Sequence, residues 1–397
     1  MNKSKKFHIE IHYALLCSLL FISIPAIGKL EVSEAVKLPQ ITESSMIVDS
    51  LWLADKNLLL ISMHGSPPEV LIYNVDFENK TLTLDSRQNF AGFAPVFLRN
   101  RDFIFAFTYK APSLGAKAVL YALNDDVRFR PLYTFEQDIK NVAATLQSNF
   151  VATIDYAVAQ QKNILVTPRL KLFNTTKDGT TGALVRRGKA IGVINMNELM
   201  SLVPNMRSQA IGKINALAMS PLARSQNGDA YNRVIALSHT AGTKHNVHIW
   251  YFPSFENDFN NGQGHMIMPV NREINNLVFS PRTFGRILAI NKLSGKIMVM
   301  QFDLSKKLLK QAVVLDTEKP KPGHATHIAA QFDENDSVIA GLNESLFLFE
   351  KGQQGYGKAD IQPADLKLGE FISKIEVSGN RFIVIGTQGS VQFGTTR

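Results

Sequence analysis

The sequence predicts an all-β fold in which one four-stranded unit is repeated seven times around a closed ring. Short runs rich in β-branched and aromatic residues alternate with turn residues along the chain, the signature of strands. Those runs recur in a fixed order. Their first strands begin near residues 47, 95, 141, 214, 274, 328 and 372, at intervals of 44 to 73 residues. Blade-like repeats recur about every 40–50 residues, and the longer intervals are the units that carry insertions. The last unit also lacks an outer strand, and a spare strand lies near the amino terminus.

Taken in order, the first element is a leader. "MNKSKK" supplies positive charge, "ALLCSLLFISIPAIG" a short apolar core, and Ala26 and Gly28 place small residues at the −3 and −1 positions of a cleavage site. This is the pattern of a secretory signal peptide. The core, interrupted by Pro25, is short of the roughly 20 residues a bilayer span needs. Residues 1–28 therefore read as a signal peptide cleaved near Gly28. The mature chain, residues 29–397, is expected to be exported, periplasmic or secreted, with no stable membrane span. Cys17 is the only cysteine, and Leu16 before it does not suit a lipid-attachment motif. The mature chain is thus expected to lack disulfides, thiol nucleophiles and cysteine metal sites. The lysine-led leader looks bacterial, so the sequons at Asn79, Asn174, Asn335 and Asn343 read as accidental.

"EAVKLPQI" (Glu34–Ile41) is the spare strand. The first unit follows as "MIVDSLWLAD", "KNLLLISMHG", "EVLIYNV" and "TLTLDS". The second is "APVFLRNR", "DFIFAFTY", "KAVLYAL" and "RPLYTF". The third has "NVAATLQS" and "NFVATIDY", then a long insertion at about residues 157–206 that includes "GKAIGVINM", with a short helix at "NMNELMSLVPN" in place of an outer strand. The fourth runs from "INALAMSP" through "RVIALSHTAGTKH" and "NVHIWYF" to "HMIMPV". "INNLVFSP", "GRILAIN", the polar turn "KLSG", "KIMVMQFDL" and "KQAVVLD" make the fifth. The sixth is "HIAAQFDEN", "DSVIAGLN", "SLFLFEKG" and "ADIQPADLKL". The seventh stops after "ISKIEVSGN", "RFIVIGTQG" and "SVQFGTTR". Pairing the spare strand with this last unit would remove an exposed sheet edge. The predicted fold is a seven-bladed β-propeller closed by an N-terminal strand that completes the last blade.

The pattern resembles the WD40/YVTN-type β-propeller superfamily over essentially the whole mature chain. "FSP" (Phe279–Pro281) sits where a first strand turns, Gly323-His324 precede a unit, and Trp250 lies in a third strand. No Trp-Asp dipeptide occurs, and the aspartate of the second hairpin is mostly absent. In the propellers it resembles, the turns between second and third strands and the blade-to-blade loops surround one mouth of a central channel. Carried onto this chain, the resemblance implies a binding rim at the ends of the second strands: His64, Thr108, Asp155, His239, Asn291, Asn343 and Thr387. The same residue types also suit ordinary turns, where their side chains bond the local backbone.

Net charge is +9, spread with no run of five like charges. Such a surplus keeps a protein soluble and suits an anionic partner. Nucleic acid is not expected. The densest basic patch is Lys171, Lys177, Arg186, Arg187 and Lys189 in the third unit, read as a protruding contact loop because loops this long are often functional. On that reading, deleting Lys162–Lys189 would leave the fold intact and abolish partner capture.

Catalytic signals are weak. There is no G-x-S-x-G elbow, Walker loop or H-E-x-x-H. His245/His248 and His324/His327 are both H-x-x-H pairs, but on a strand that spacing points to opposite faces. His239, His265, His324 and His327 are the histidines expected nearest one mouth. No metal and no cofactor is expected. The leading expectation is an exported, non-catalytic scaffold binding a protein or an anionic envelope component through one face and the basic loop. The alternative is a lactonase-type hydrolase with a metal at the channel mouth. A quinone-cofactor propeller would need a tryptophan-rich repeat, which two tryptophans do not supply.

Overall fold

The computed structural model describes residues 30–396 apart from 43–44, 110–116, 136–138, 147, 158–166, 177–189, 196–212, 222–232, 253–263, 304–305, 307, 316, 318–326, 353–354, 358–359, 365 and 367–369. The chain opens with β1 (Leu30–Val32) and β2 (Val36–Lys37). Blade 1 is β3 (Met46–Leu53), β4 (Leu58–His64), β5 (Glu69–Asp76) and β6 (Thr81–Asn89); blade 2 is β7 (Val96–Arg99), β8 (Ile104–Thr108), β9 (Val119–Leu123) and β10 (Phe129–Thr134). Blade 3 is β11 (Ile139–Ala144), β12 (Phe150–Ala157), β13 (Thr167–Asn174) and β14 (Ala190–Asn195). Blade 4 is β15 (Lys213–Met219), β16 (Arg233–Ala241), β17 (Lys244–Phe252) and β18 (Gly264–Val270). Blade 5 is β19 (Asn276–Phe279), β20 (Arg286–Asn291), β21 (Lys296–Asp303) and β22 (Leu308–Leu315). Blade 6 is β23 (Ile328–Phe332), β24 (Val338–Leu342), β25 (Ser345–Phe349) and β28 (Asp360–Pro363), with a small hairpin of β26 (Lys351–Gly352) and β27 (Gly355–Tyr356) inserted before its outer strand. Blade 7 is β29 (Ile372–Ser378), β30 (Arg381–Gly386) and β31 (Ser390–Thr396).

Each blade is an antiparallel meander, and the first strand of each packs against the first strand of the next, from β3 round to β29 and back to β3. The ring is therefore a closed, seven-bladed propeller. Among the described residues no helix is long and apolar enough to cross a membrane.

The core is not one mass but seven slabs, one between each pair of neighbouring blades. Both faces of an inner strand are covered, so its sequence reads as a continuous apolar run rather than an alternating one. "IFAFT" in β8 and "VIAGL" in β24 are buried at every position. Outer strands face water on one side and alternate, as β6 does.

Closure follows the expected route, but two short strands, β1 and β2, pair with β31 in place of the single strand expected over Glu34–Ile41. In β2, Val36 pairs with Val391, and in β1, Leu30 pairs with Thr396. Leu30, Leu38 and Ile41 are all buried, each worth roughly 2 kcal/mol of burial. At Gly389 the backbone has φ +85°, and a Cβ there would meet Ile41 at 2.5 Å. Glycine lets the closing segment lie flat against the blade.

The third blade differs from its sequence reading. "TPRLKLFN", expected inside the insertion, is the third strand β13, and "AIGVIN" is the outer strand β14. The expected insertion at 157–206 thus contains two of the blade's four strands, and deleting Lys162–Lys189 would remove β13 from the sheet. The misreading has a physical cause. Pro168, Arg169 and Lys171 make the segment look polar, but Asp155 on β12 accepts from Arg169 at 2.8 Å and from Lys171 at 2.5 Å. A buried carboxylate with two partners lets cations enter a sheet interior.

Candidate functional site

Second strands end on the face where first strands begin, because each pair is antiparallel: Met46 lies opposite His64. The turns between second and third strands and the blade-to-blade connections open on this mouth face. Turns between first and second strands, and between third and fourth, open on the other.

The seven rim residues do not form one uniform ring. Asn291 donates to Glu273 O at 2.5 Å and accepts from Ser294 N at 2.7 Å. Asn343, with φ +54°, accepts from His327 N at 3.1 Å, and Thr387 accepts from Phe371 N at 3.2 Å. Thr108 is buried and bonds Val119 O at 3.5 Å. These four tie their own blade's backbone, as turn residues do. Asp155 is buried against Arg169 and Lys171. His239 is buried on β16. Only His64 is exposed.

Of the basic patch, Lys171 is a buried strand residue rather than a loop cation. Lys177, Arg186, Arg187 and Lys189 lie outside the described residues. The described strand ends on either side, Asn174 and Ala190, are on the face opposite the rim.

The residues the mouth does gather come from five blades. A register shift after Ile47 and another after Ile372 place Asp49 and Lys374 at the seam between blades 1 and 7, the re-aiming that β-bulges produce. Lys374 Nζ donates to Asp49 Oδ1 at 2.9 Å, and Phe97 N of blade 2 donates to Asp49 Oδ2 at 2.8 Å. Both oxygens of Asp49 are thus engaged. Deeper in the seam, Glu376 accepts from Ser50 Oγ at 2.5 Å and from Trp52 N at 3.4 Å. Burial pushes the Glu376 carboxyl up to about 7 despite those bonds. Burial opposes the charge of Lys374, but Asp49 outweighs it and raises its pKa.

Lys292, in the turn after β20, belongs to the same electrostatic neighbourhood. Partial burial and then the Lys374 ammonium lower its pKa, with Asp49 acting against them. His327 is lowered too, by burial and then by Lys292, and its ring stacks on Phe371 at 5.2 Å. Sequence reasoning missed this group because Asp49, Lys292 and Lys374 meet only through ring closure. One signal was present: Leu293, an apolar residue in the turn "KLSG", is 79% exposed.

Three large apolar side chains are exposed on this face: Leu293, Met46 (57%) and Phe93 (41%). The opposite face carries an open cleft of about 820 Å³ under blades 1 and 2. Its arginines are already satisfied, Arg99 by Asp55 at 2.7 Å, Arg130 by Asp126 at 2.6 Å and Arg101 by Asp102 at 3.5 Å.

A third polar cluster lies inside blade 4. His248 Nδ1 is 3.0 Å from His265 Nε2, His265 stacks on Trp250 at 3.8 Å, and the His239 ring is 5.7 Å from His248. His239 and His265 join as expected, but with His248 rather than His327, which lies in blade 6; His324 is outside the described residues. Among the described residues no three His, Cys, Asp or Glu side chains converge as a metal would require.

The closed ring of seven blades is similar in fold to solved β-propellers, among them WD40-repeat structures. The RRP9 WD40 repeats superpose with a TM-score of 0.55 at 11% identity, covering 92% of this chain and 100% of that one. The β-propeller domain of Myceliophteria thermophila Cps50 (Swd1) gives 0.53 at 12% identity, covering 90% and 99%, and U3-55K gives 0.52 at 11%, covering 92% and 98%. At these identities the likeness is one of fold. No family model and no curated protein matches the sequence.

Proposed function

We propose that the protein is a non-catalytic binding scaffold that docks another protein on the mouth face of its propeller. The carrying observation is the exposure of Met46, Phe93 and Leu293 on that one face, beside charged groups held rigidly at the seam. Large apolar side chains beside a polar rim suit the make-up of protein interfaces. A rigid ring that presents variable loops suits recognition. The WD40-like fold of the structural neighbours supports the same reading. The lactonase alternative gains no support from any described cluster.

Export is part of the proposal and rests on residues 1–28. The first ring-closing strand begins at Leu30, immediately beyond the expected cleavage point near Gly28, so cleavage there would spare every closing contact. Mass determination of the mature chain from cell fractions tests it; an intact leader on a cytoplasmic protein would contradict it.

Docking is tested by affinity capture from the native host. Leu293→Asp is expected to abolish recovery of the partner, while Leu146→Asp, a change at an exposed leucine on the opposite face, leaves recovery unchanged. Capture surviving Leu293→Asp would contradict the docking site.

A further inference from the structure

The charges gathered around Asp49 do not balance. Asp49 has one oxygen on Lys374 and the other on the Phe97 amide, so its single negative charge is already shared with a cation and an amide. Glu376 lies deeper, engaged by Ser50 and the Trp52 amide. Lys292 is exposed, makes no ion pair among the described residues, and bonds Asn275 only through its backbone amide. His327 of blade 6 has its ring against Phe371, and burial and then Lys292 lower its pKa. Around Asp49 the mouth therefore presents two ammonium groups to one aspartate, in a partly water-excluded setting where charge interactions are stronger than in bulk water. Leu293 projects from the same turn as Lys292.

We propose that the mouth receives a side-chain carboxylate from an acidic segment of the partner protein, placed between Lys292 and Lys374, with Leu293 packing against an apolar residue beside it. This rests on the mouth face being the docking surface and names the chemistry of what docks there. An incoming carboxylate would supply the missing counter-charge and separate two mutually repelling ammonium groups. A cationic segment would add a third positive charge. The wider surplus of basic residues, 40 against 33 acidic over residues 29–397, would attract an acidic segment from a distance.

The test uses the full chain and fluorescein-labelled peptides of alternating Leu and Glu, with Leu/Gln and Leu/Lys analogues, read by anisotropy at low salt. The Leu/Glu peptide should bind at least tenfold more tightly than the Leu/Gln peptide, and the advantage should fall as salt rises. Lys292→Glu should erase that advantage and transfer it to the Leu/Lys peptide; Lys292→Gln should erase it without the transfer. Lys292 is exposed, so both variants should fold, which circular dichroism checks. Equal binding of the Glu and Gln peptides would overturn the proposal, as would a Lys292→Glu variant that keeps the original preference. So would an effect of Lys292→Glu on phosphatidylglycerol vesicles but not on peptides. Partner capture lost in Leu293→Asp but kept in Lys292→Glu would overturn the carboxylate proposal and leave docking standing. Capture kept in both would overturn docking as well.

Discussion

Lys374 and Asp49 are 325 residues apart in sequence, yet their side chains meet at 2.9 Å across the seam where the ring closes. Asp49 also holds the Phe97 amide, so a single carboxylate joins the innermost strands of blades 7, 1 and 2. Asp49→Ala should lower stability in urea by about 1–3 kcal/mol, since it leaves a cation and an amide without their acceptor. Partial exposure of the pair, 29% and 21%, keeps the figure below that of a fully buried pair. Lys374→Met should cost less, because Asp49 retains the Phe97 amide. Equal losses would show that the amide contact contributes nothing.

Ring closure makes its own prediction. Without residues 29–37, β31 loses the partners of Val391 and Thr396 and becomes an open edge, which invites pairing between molecules. The truncated protein should melt at lower temperature and self-associate in light scattering. A monomeric truncation with unchanged melting would contradict the closure.

The blade 4 histidines predict acid lability. Burial lowers His239 and His265 to about 4, and His248 is lowered well below its ordinary value by burial and then by its two neighbours. Unfolded histidines titrate near 6.5, so between about pH 6.5 and 4 the unfolded chain binds more protons and stability falls as pH falls. Glu376, raised to about 7, has the opposite sign: its folded form holds a proton between about 4.5 and 7, so it favours the folded state as pH falls. Three histidines outnumber one glutamate, and the net effect should be destabilisation on acidification. Urea unfolding across this range should show a shallower slope in His239→Leu and a steeper one in Glu376→Gln. A flat profile in the wild type would contradict the buried neutral stack.

Asp155 tests the corrected third blade. Asp155→Ala would leave Lys171 and Arg169 facing each other without a counter-ion, and should cost about 3–5 kcal/mol. Lys171→Met should cost far less, because Asp155 keeps Arg169 at 2.8 Å. Thermal unfolding separates the two variants. If Lys171 were instead a loop contact, Lys171→Met would impair partner capture and leave stability unchanged.

The ring was legible in the sequence because blade periodicity is a local property. "INALAMSP", "INNLVFSP" and "ISKIEVSGN" each announce a first strand through their own residues and turns, and β15, β19 and β29 begin within two residues of the expected points. The spare strand near Val36 was legible because a blade lacking its outer strand implies a donor elsewhere. β13 was not legible, since its cations make sense only beside Asp155, which the sequence cannot place. The mouth was the least legible part. Ends of second strands pick out residues such as Asn291 and Thr387, which turn out to bond their own blades. The group joining Asp49, Lys292 and Lys374 depends on three blades meeting, and no spacing along the chain encodes that.

The most direct measurement is site-specific photocrosslinking in living cells, with a benzophenone amino acid at Leu293 or Met46 on the mouth face and at Leu146 on the other. The account predicts a discrete protein adduct from positions 293 and 46 and none from 146. An adduct formed only from position 146 would contradict it.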